Sequence, residues 1–169
     1  YQVSGSDMKA SPLTSQLEKE GATVTLGHQE TNLRNAETLI YSSCIQEGNP
    51  EKKEAERRKL PVISRGELLS LLFKEKRIGI AIAGSHGKTT TTALTAYLLK
   101  KAGCDPTYVI GGVSHDLKGN AAAGKGDYFV AEADESDGSF LALSPTYSIV
   151  TNMDAEHLDY YGSFEKSLE

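Results

Sequence analysis

Residues 80–99 read IAIAGSHGKTTTTALTAYLL: an apolar strand pattern, a glycine-bearing turn and a helical pattern in one run. The common phosphate-binding loop has a glycine five residues before its Gly-Lys pair. Counting back from Gly87-Lys88, that place is Ile82, and Gly84 comes two residues later than the pattern asks. The turn nonetheless has the makings of an anion site. Where a strand runs into a helix N-terminus, backbone N–H groups are unpaired and the helix dipole is positive. Gly84 and Gly87 let the backbone approach a ligand closely. Lys88 can reach a phosphate as a point charge, and the Thr89 hydroxyl can hold a magnesium ion. The expected phosphate-binding set is Gly84, Ser85, His86, Gly87, Lys88, Thr89 and Thr90. The strand 78–83 is compact and apolar and the helix 89–99 almost apolar all round, so both are expected to be buried. Alone, the loop says only "nucleotide", and a tight turn with an exposed lysine is its alternative.

Two later segments repeat the form of an apolar strand that ends in polar groups. DYFVAEADESDGSF delivers Glu132, Asp134, Glu135 and Asp137, and SIVTNMDAEHLDYYG delivers Asn152, Asp154, Glu156, His157 and Asp159. A hydrophobic strand ending in acid is how a phosphate-loop protein holds magnesium beside the phosphates; without that loop, the same acids would read as a solvated turn. Three parallel strands would bring Lys88-Thr89, Glu132 and His157 to one sheet edge, where open α/β sheets bind ligands. Neutral imidazole is a less usual magnesium partner than oxygen. Nearer the start, YQVSGSD ends a strand on Asp7, an acid suited to a ribose hydroxyl, and LGHQETN offers Gly27, His28 and Asn32 after the next strand. Each of these is equally compatible with an ordinary polar loop.

Strand and helix patterns alternate along the 169 residues, which argues for parallel sheets covered by helices. Strands are expected at 1–4, 23–26, 38–42, 61–63, 78–83, 108–110, 128–133 and 147–151, and helices at 11–20, 50–59, 66–74 and 89–102. The run NPEKKEAERRKLP, with acids early and bases late, reads as a helix with a solvated charged face. Residues 111–126 are glycine-rich and polar and are expected to form a loop. FKEKR interrupts two apolar segments, so a boundary is expected there, giving partial domains 1–73 and 74–169. The opening residues read as a strand in progress and the closing ones as a helix just begun, so a piece of a longer chain is expected.

Bulk composition excludes several classes. A net charge of −5 leaves no basic footprint for nucleic acid. No apolar run is long enough for a transmembrane helix, and the N-terminus lacks a signal-peptide layout. Cys44 and Cys104, 60 residues apart without metal spacing, read as free thiols of a reducing cytoplasm. Nothing in the sequence indicates an oligomeric state.

With SGSD, LGH, SSCIQEGNPE, PVISRGELL, AGSHGKTTTT, DPTYVIGG, NAAAG, EADESDGSFL and IVTNMDAEHLDYYG in view, the chain resembles the Mur ligase family of peptidoglycan synthesis over essentially its whole length. The family's loop is the shortened G-[TS]-x-G-K-T type. Ser85 stands where threonine is more frequent and Cys44 where alanine is more usual. The resemblance implies a Rossmann-like UDP-sugar domain, partly present, followed by part of a P-loop-type parallel-sheet ATP-binding domain. It also implies an ATP- and Mg²⁺-dependent amide ligase joining L-alanine to the carboxylate of UDP-N-acetylmuramate through an acyl phosphate. The catalytic set would be Lys88, Glu132 and His157. Thr89 and Glu132 would hold one magnesium, and Glu132 and His157 a second, while Ser6, Asp7, His28 and Asn152 would serve the UDP-sugar. The family has three domains, so the first glycine-rich loop and the adenine and L-alanine contacts would lie largely outside this chain, which is expected not to turn over alone. A murein tripeptide-recycling ligase of the same family and a non-catalytic nucleotide- or UDP-sugar-binding fragment are the alternatives.

Overall fold

A computed structural model describes residues 1–133 and 143–154. The chain forms an α/β fold of parallel sheets, divided into two compact units, Tyr1–Arg65 and Gly66–Glu169.

In the first unit, β1 (Ser4–Asp7) pairs in parallel with β2 (Thr23–Leu26), and α1 (Pro12–Lys19) connects them. The Ser11 hydroxyl and Thr14 cap α1 reciprocally, and Pro12 fits its first turn. A 3-10 turn, Glu30–Leu33, leads to β3 (Leu39–Tyr41), which pairs in parallel with β4 (Val62–Ser64) after α2 (Pro50–Arg57). The first strand lies three residues later than the expected 1–4. Its sequence, SGSD, carries no apolar signal, and pairing with β2 alone sets it.

The charges of α2 are a second difference. Glu51, Lys52 and Glu54 are buried rather than solvated. Burial of a charge demands a partner, and each has one. Lys52 bonds Glu47 and lies over the Tyr41 ring, 4.5 Å from its centroid. Glu54 accepts hydrogen bonds from Arg57 (2.6 and 2.7 Å) and Arg58 (2.6 Å), which hold its carboxyl down at about 2. The Glu47 contact raises the Lys52 ammonium above its usual value.

The second unit takes in α3 (Arg65–Lys74) from Gly66 onward, and its Phe73 ring lies tilted against Phe129 with centroids 5.2 Å apart. That packing draws the helix into the second unit, so the division falls at Arg65, ahead of the expected boundary at 73–74. A five-stranded sheet follows, in the order β7-β6-β8-β5-β9: β5 (Ile78–Ala83), β6 (Thr107–Ser114), β7 (Gly119–Ala122), β8 (Tyr128–Glu132) and β9 (Tyr147–Val150). All pairings are parallel except β6–β7. Side chains alternate between the faces. Ala81, Phe129 and Ala131 meet Phe73 on one face, and Ile82, Val130, Tyr108 and Ile110 meet Ala96 of α4 (Lys88–Lys101) on the other.

Two expectations change here. Residues 111–126 are not a simple loop: β6 runs on to Ser114 and returns as β7, with Tyr108 opposite Ala122. Backbone pairing at a sheet edge needs no apolar pattern, so the sequence did not announce it. Nor is α4 buried all round, since Leu94 and Leu98 are more than half exposed and the fully buried residues are Thr92 and Ala96. Thr92 is tolerated there because its hydroxyl donates to the Lys88 carbonyl at 2.8 Å. No helix among the described residues is long and apolar enough to cross a membrane.

Candidate functional site

After β5 the chain goes to one side for β6 and β8 and to the other for β9. The carboxyl end of β5 is therefore a switch point, where such sheets open a crevice. The loop 84–87 occupies it. Gly84 (φ 120°) and Gly87 (φ 81°) take left-handed backbone, and α4 starts at Lys88 with no side-chain cap, so its first amides face the loop. Lys88 Nζ curls back to donate to the carbonyls of Gly84 (2.6 Å) and Ser85 (3.2 Å).

Beside it, β8 delivers Glu132. Its Oε1 accepts the Thr89 hydroxyl at 3.0 Å and its Oε2 accepts the Gly111 N–H at 2.7 Å. A Cβ at Gly111 would sit 2.8 Å from both carboxylate oxygens, so a larger residue there would push the Glu132 carboxylate out of this position. The adjoining Gly112 brings its backbone near Thr89, where a Cβ would meet the Thr89 methyl at 3.3 Å. Thr89 and Thr90 also line a groove between α4 and β6. Two hard oxygen donors side by side, Thr89 Oγ1 and a Glu132 carboxylate, fit a magnesium ion. Among the described residues no group of three or more His, Cys, Asp or Glu forms a metal cluster.

From the other side comes the segment after β9. Asn152 bonds the loop backbone through its carbonyl and both ends of its carboxamide, and Asp154 N–H donates to the Ser85 hydroxyl at 2.9 Å. The serine at position 85 thus keeps the one group this contact needs. Asp154 Oδ2 lies 3.4 Å from His86 Nε2.

In the first unit, Ser6 Oγ and His28 Nδ1 share a hydrogen bond of 2.9 Å at the carboxyl ends of β1 and β2. Asp7 closes β1, its carboxylate accepting the Lys9 N–H at 3.0 Å. The loop carrying His28 is fastened to α2: Glu51 Oε1 accepts Asn32 Nδ2 (2.8 Å) and the Gln29 N–H (3.3 Å), and lies 3.6 Å from His28 Nδ1.

The structure thus brings together residues 84–90, Glu132 and Asn152 in one unit, and Ser6, Asp7 and His28 in the other. His157 lies outside the described residues, as do Asp134, Glu135, Asp137, Glu156 and Asp159. Asn152, grouped with the sugar contacts by resemblance, has its carboxamide on the His86 backbone. Sequence reasoning missed Gly111 and Glu51. The paired glycines of VIGG were the one available signal for the first, and the second gave none.

Residues 1–77 match the Mur ligase family, catalytic domain, and residues 82–169 match the Mur ligase middle domain. The UDP-N-acetylmuramate–L-alanine ligase of Carboxydothermus hydrogenoformans is 53% identical over 167 residues, 98% of this chain and 36% of the relative. That of Aquifex aeolicus is 51% identical over all of this chain and 37% of its own length. This chain therefore spans little more than a third of the length of these curated relatives. Among solved structures, UDP-N-acetylmuramate-alanine ligase from Thermotoga maritima superposes with a TM-score of 0.89 at 34% identity, covering 97% of this chain and 39% of that one. The UDP-N-acetylmuramate:L-alanyl-gamma-D-glutamyl-meso-diaminopimelate ligase from Neisseria meningitides gives 0.85 at 28%, covering 95% and 56%. With a family domain matched across its second half and curated relatives aligned along its length, the chain belongs to the Mur ligase family.

Proposed function

We propose that residues 74–169 are a P-loop-type ATP-binding domain in part, and residues 1–73 a Rossmann-like UDP-sugar domain in part. Together they would serve an ATP-dependent ligase that joins L-alanine to UDP-N-acetylmuramate in the cytoplasm for peptidoglycan synthesis. The observation that carries this reading is the juxtaposition of Lys88, Thr89 and Glu132 around a glycine loop at a helix N-terminus. The names of the relatives favour L-alanine as the amine, and the 34% identity to the alanine ligase structure exceeds the 28% to the peptide ligase.

The chemistry fits the residues. A carboxylate is a poor acylating agent. In the first step its oxygen attacks the γ-phosphorus of ATP, the bond to the bridging oxygen breaks, and ADP leaves with the electron pair. In the second, the alanine amine adds to the acyl carbon, loses a proton and expels inorganic phosphate. The first step brings two anions together. Loop amides and the Lys88 ammonium, released from the Gly84 and Ser85 carbonyls, would offset that repulsion and stabilise charge as it develops. Thr89 and Glu132 would hold a magnesium ion, which when bound supplies further positive charge at the phosphates, and His157 would join Glu132 at a second. Ser6, Asp7 and His28 would take the UDP-sugar.

The test is ADP release by a full-length ligase carrying this segment. Release should require both UDP-N-acetylmuramate and L-alanine, and fall about 10²–10³-fold in Glu132→Gln. Release driven by a tripeptide in place of L-alanine would favour the recycling ligase, and release indifferent to any amine would contradict a ligase.

A further inference from the structure

Apart from the Lys88 ammonium on its Gly84 and Ser85 carbonyls, the loop 84–87 has little of its own to hold it in one shape. Two of its residues are glycines with positive φ, and glycine gives up more conformational freedom on ordering than any other residue. What fixes it arrives from far along the chain. The Asn152 carboxamide meets the His86 peptide as a neighbouring strand would: Oδ1 accepts the His86 N–H at 2.9 Å, and Nδ2 donates to the His86 carbonyl at 2.9 Å. The Asn152 carbonyl accepts the Ser85 N–H at 3.0 Å. Thr151 adds its hydroxyl, 2.6 Å from the same His86 carbonyl, and its N–H donates to the Ala83 carbonyl at 3.0 Å. The fit is close: a Cβ on Gly84 would lie 2.4 Å from Thr151 Oγ1 and 2.7 Å from the Asn152 carbonyl oxygen. The loop is thus tied down on the β9 side, while the first turn of α4 faces Glu132.

We propose that Asn152 is a positioning residue that holds the ligand-free loop in its phosphate-receiving shape, so that a polyphosphate need not order the loop as it binds. Asn152 then acts through the loop. This role rests on the phosphate-site reading of the loop.

Amide hydrogen exchange on the 169-residue chain, beside a Mg·ATP titration, tests it with wild type, Asn152→Ala and Asn152→Asp. The His86 amide should be protected in the wild-type chain. Asn152→Ala should raise its exchange about ten-fold or more and weaken Mg·ATP by a similar factor, while amides of β5 and β8 stay protected. Asn152→Asp keeps an oxygen opposite the His86 N–H and should keep its protection, a contrast that general destabilisation would not produce. A His86 amide that exchanges at the free-peptide rate in the wild-type chain overturns the proposal, whatever the variants do. So does faster exchange in Asn152→Ala with unchanged Mg·ATP affinity. Protected amides in a wild-type chain that binds no Mg·ATP would instead overturn the phosphate-site reading, and the positioning role with it.

Discussion

The two units solve the same folding problem with different materials. In the second, apolar residues from both faces of a five-stranded sheet make two clusters, around Phe73 and around Ile82. In the first, two separate pairs of strands enclose little apolar matter: Leu33 and Ala55 are its buried hydrophobic residues, beside buried Thr14, Glu51, Lys52 and Glu54. One is held by area removed from water; the other buries charges that each need a particular partner. The consequence differs too. A core held by area tolerates pH and salt, whereas a core of ion pairs and charged hydrogen bonds responds to both.

That contrast can be broken by experiment. The largest effect is expected at Phe73, where truncation to alanine empties space against Phe129 and Gly79. Phe73→Ala should destabilise the second unit by about 3–5 kcal/mol in denaturant melts, and a loss below about 1 kcal/mol would mean that area does not hold this unit. Next comes acid. Glu54 has its folded value lowered from 4.5 to about 2, so its stabilisation is present above pH 4.5 and is lost as pH falls from there toward 2. Exchange of first-unit amides should therefore rise over that window, and Glu54→Gln should be less stable at neutral pH and flatter across the window. A first unit indifferent to both would refute the polar account. The smallest effect is at the start of α2, where Asn49 Oδ1 accepts the N–H groups of Glu51 and Lys52. Asn49→Ala should cost about 1 kcal/mol, measured by the same melts.

How much of this the sequence revealed divides along the same line. The run from β5 through the loop to α4 was legible because three local signals agree there: an apolar strand, a turn with two glycines and a helical pattern. Lys88, Thr89 and Glu132 followed from it. The burial of Glu51 was not legible, because its partner Asn32 lies 19 residues away and no periodicity marks the pair. Nor was the hold of Asn152 on His86, across 66 residues. The β6–β7 hairpin was hidden for another reason, since polar and glycine residues can pair through backbone alone. Polar contacts are specified by where two distant elements meet, and a linear pattern does not carry that.

The central claim is that residues 84–90 form a phosphate site. Calorimetric titration of Mg·ATP into the chain, beside Lys88→Ala, tests it most directly. Saturable binding that is lost in the variant is the predicted result. Equal binding to both, or none to a wild-type chain that melts cooperatively, would contradict it.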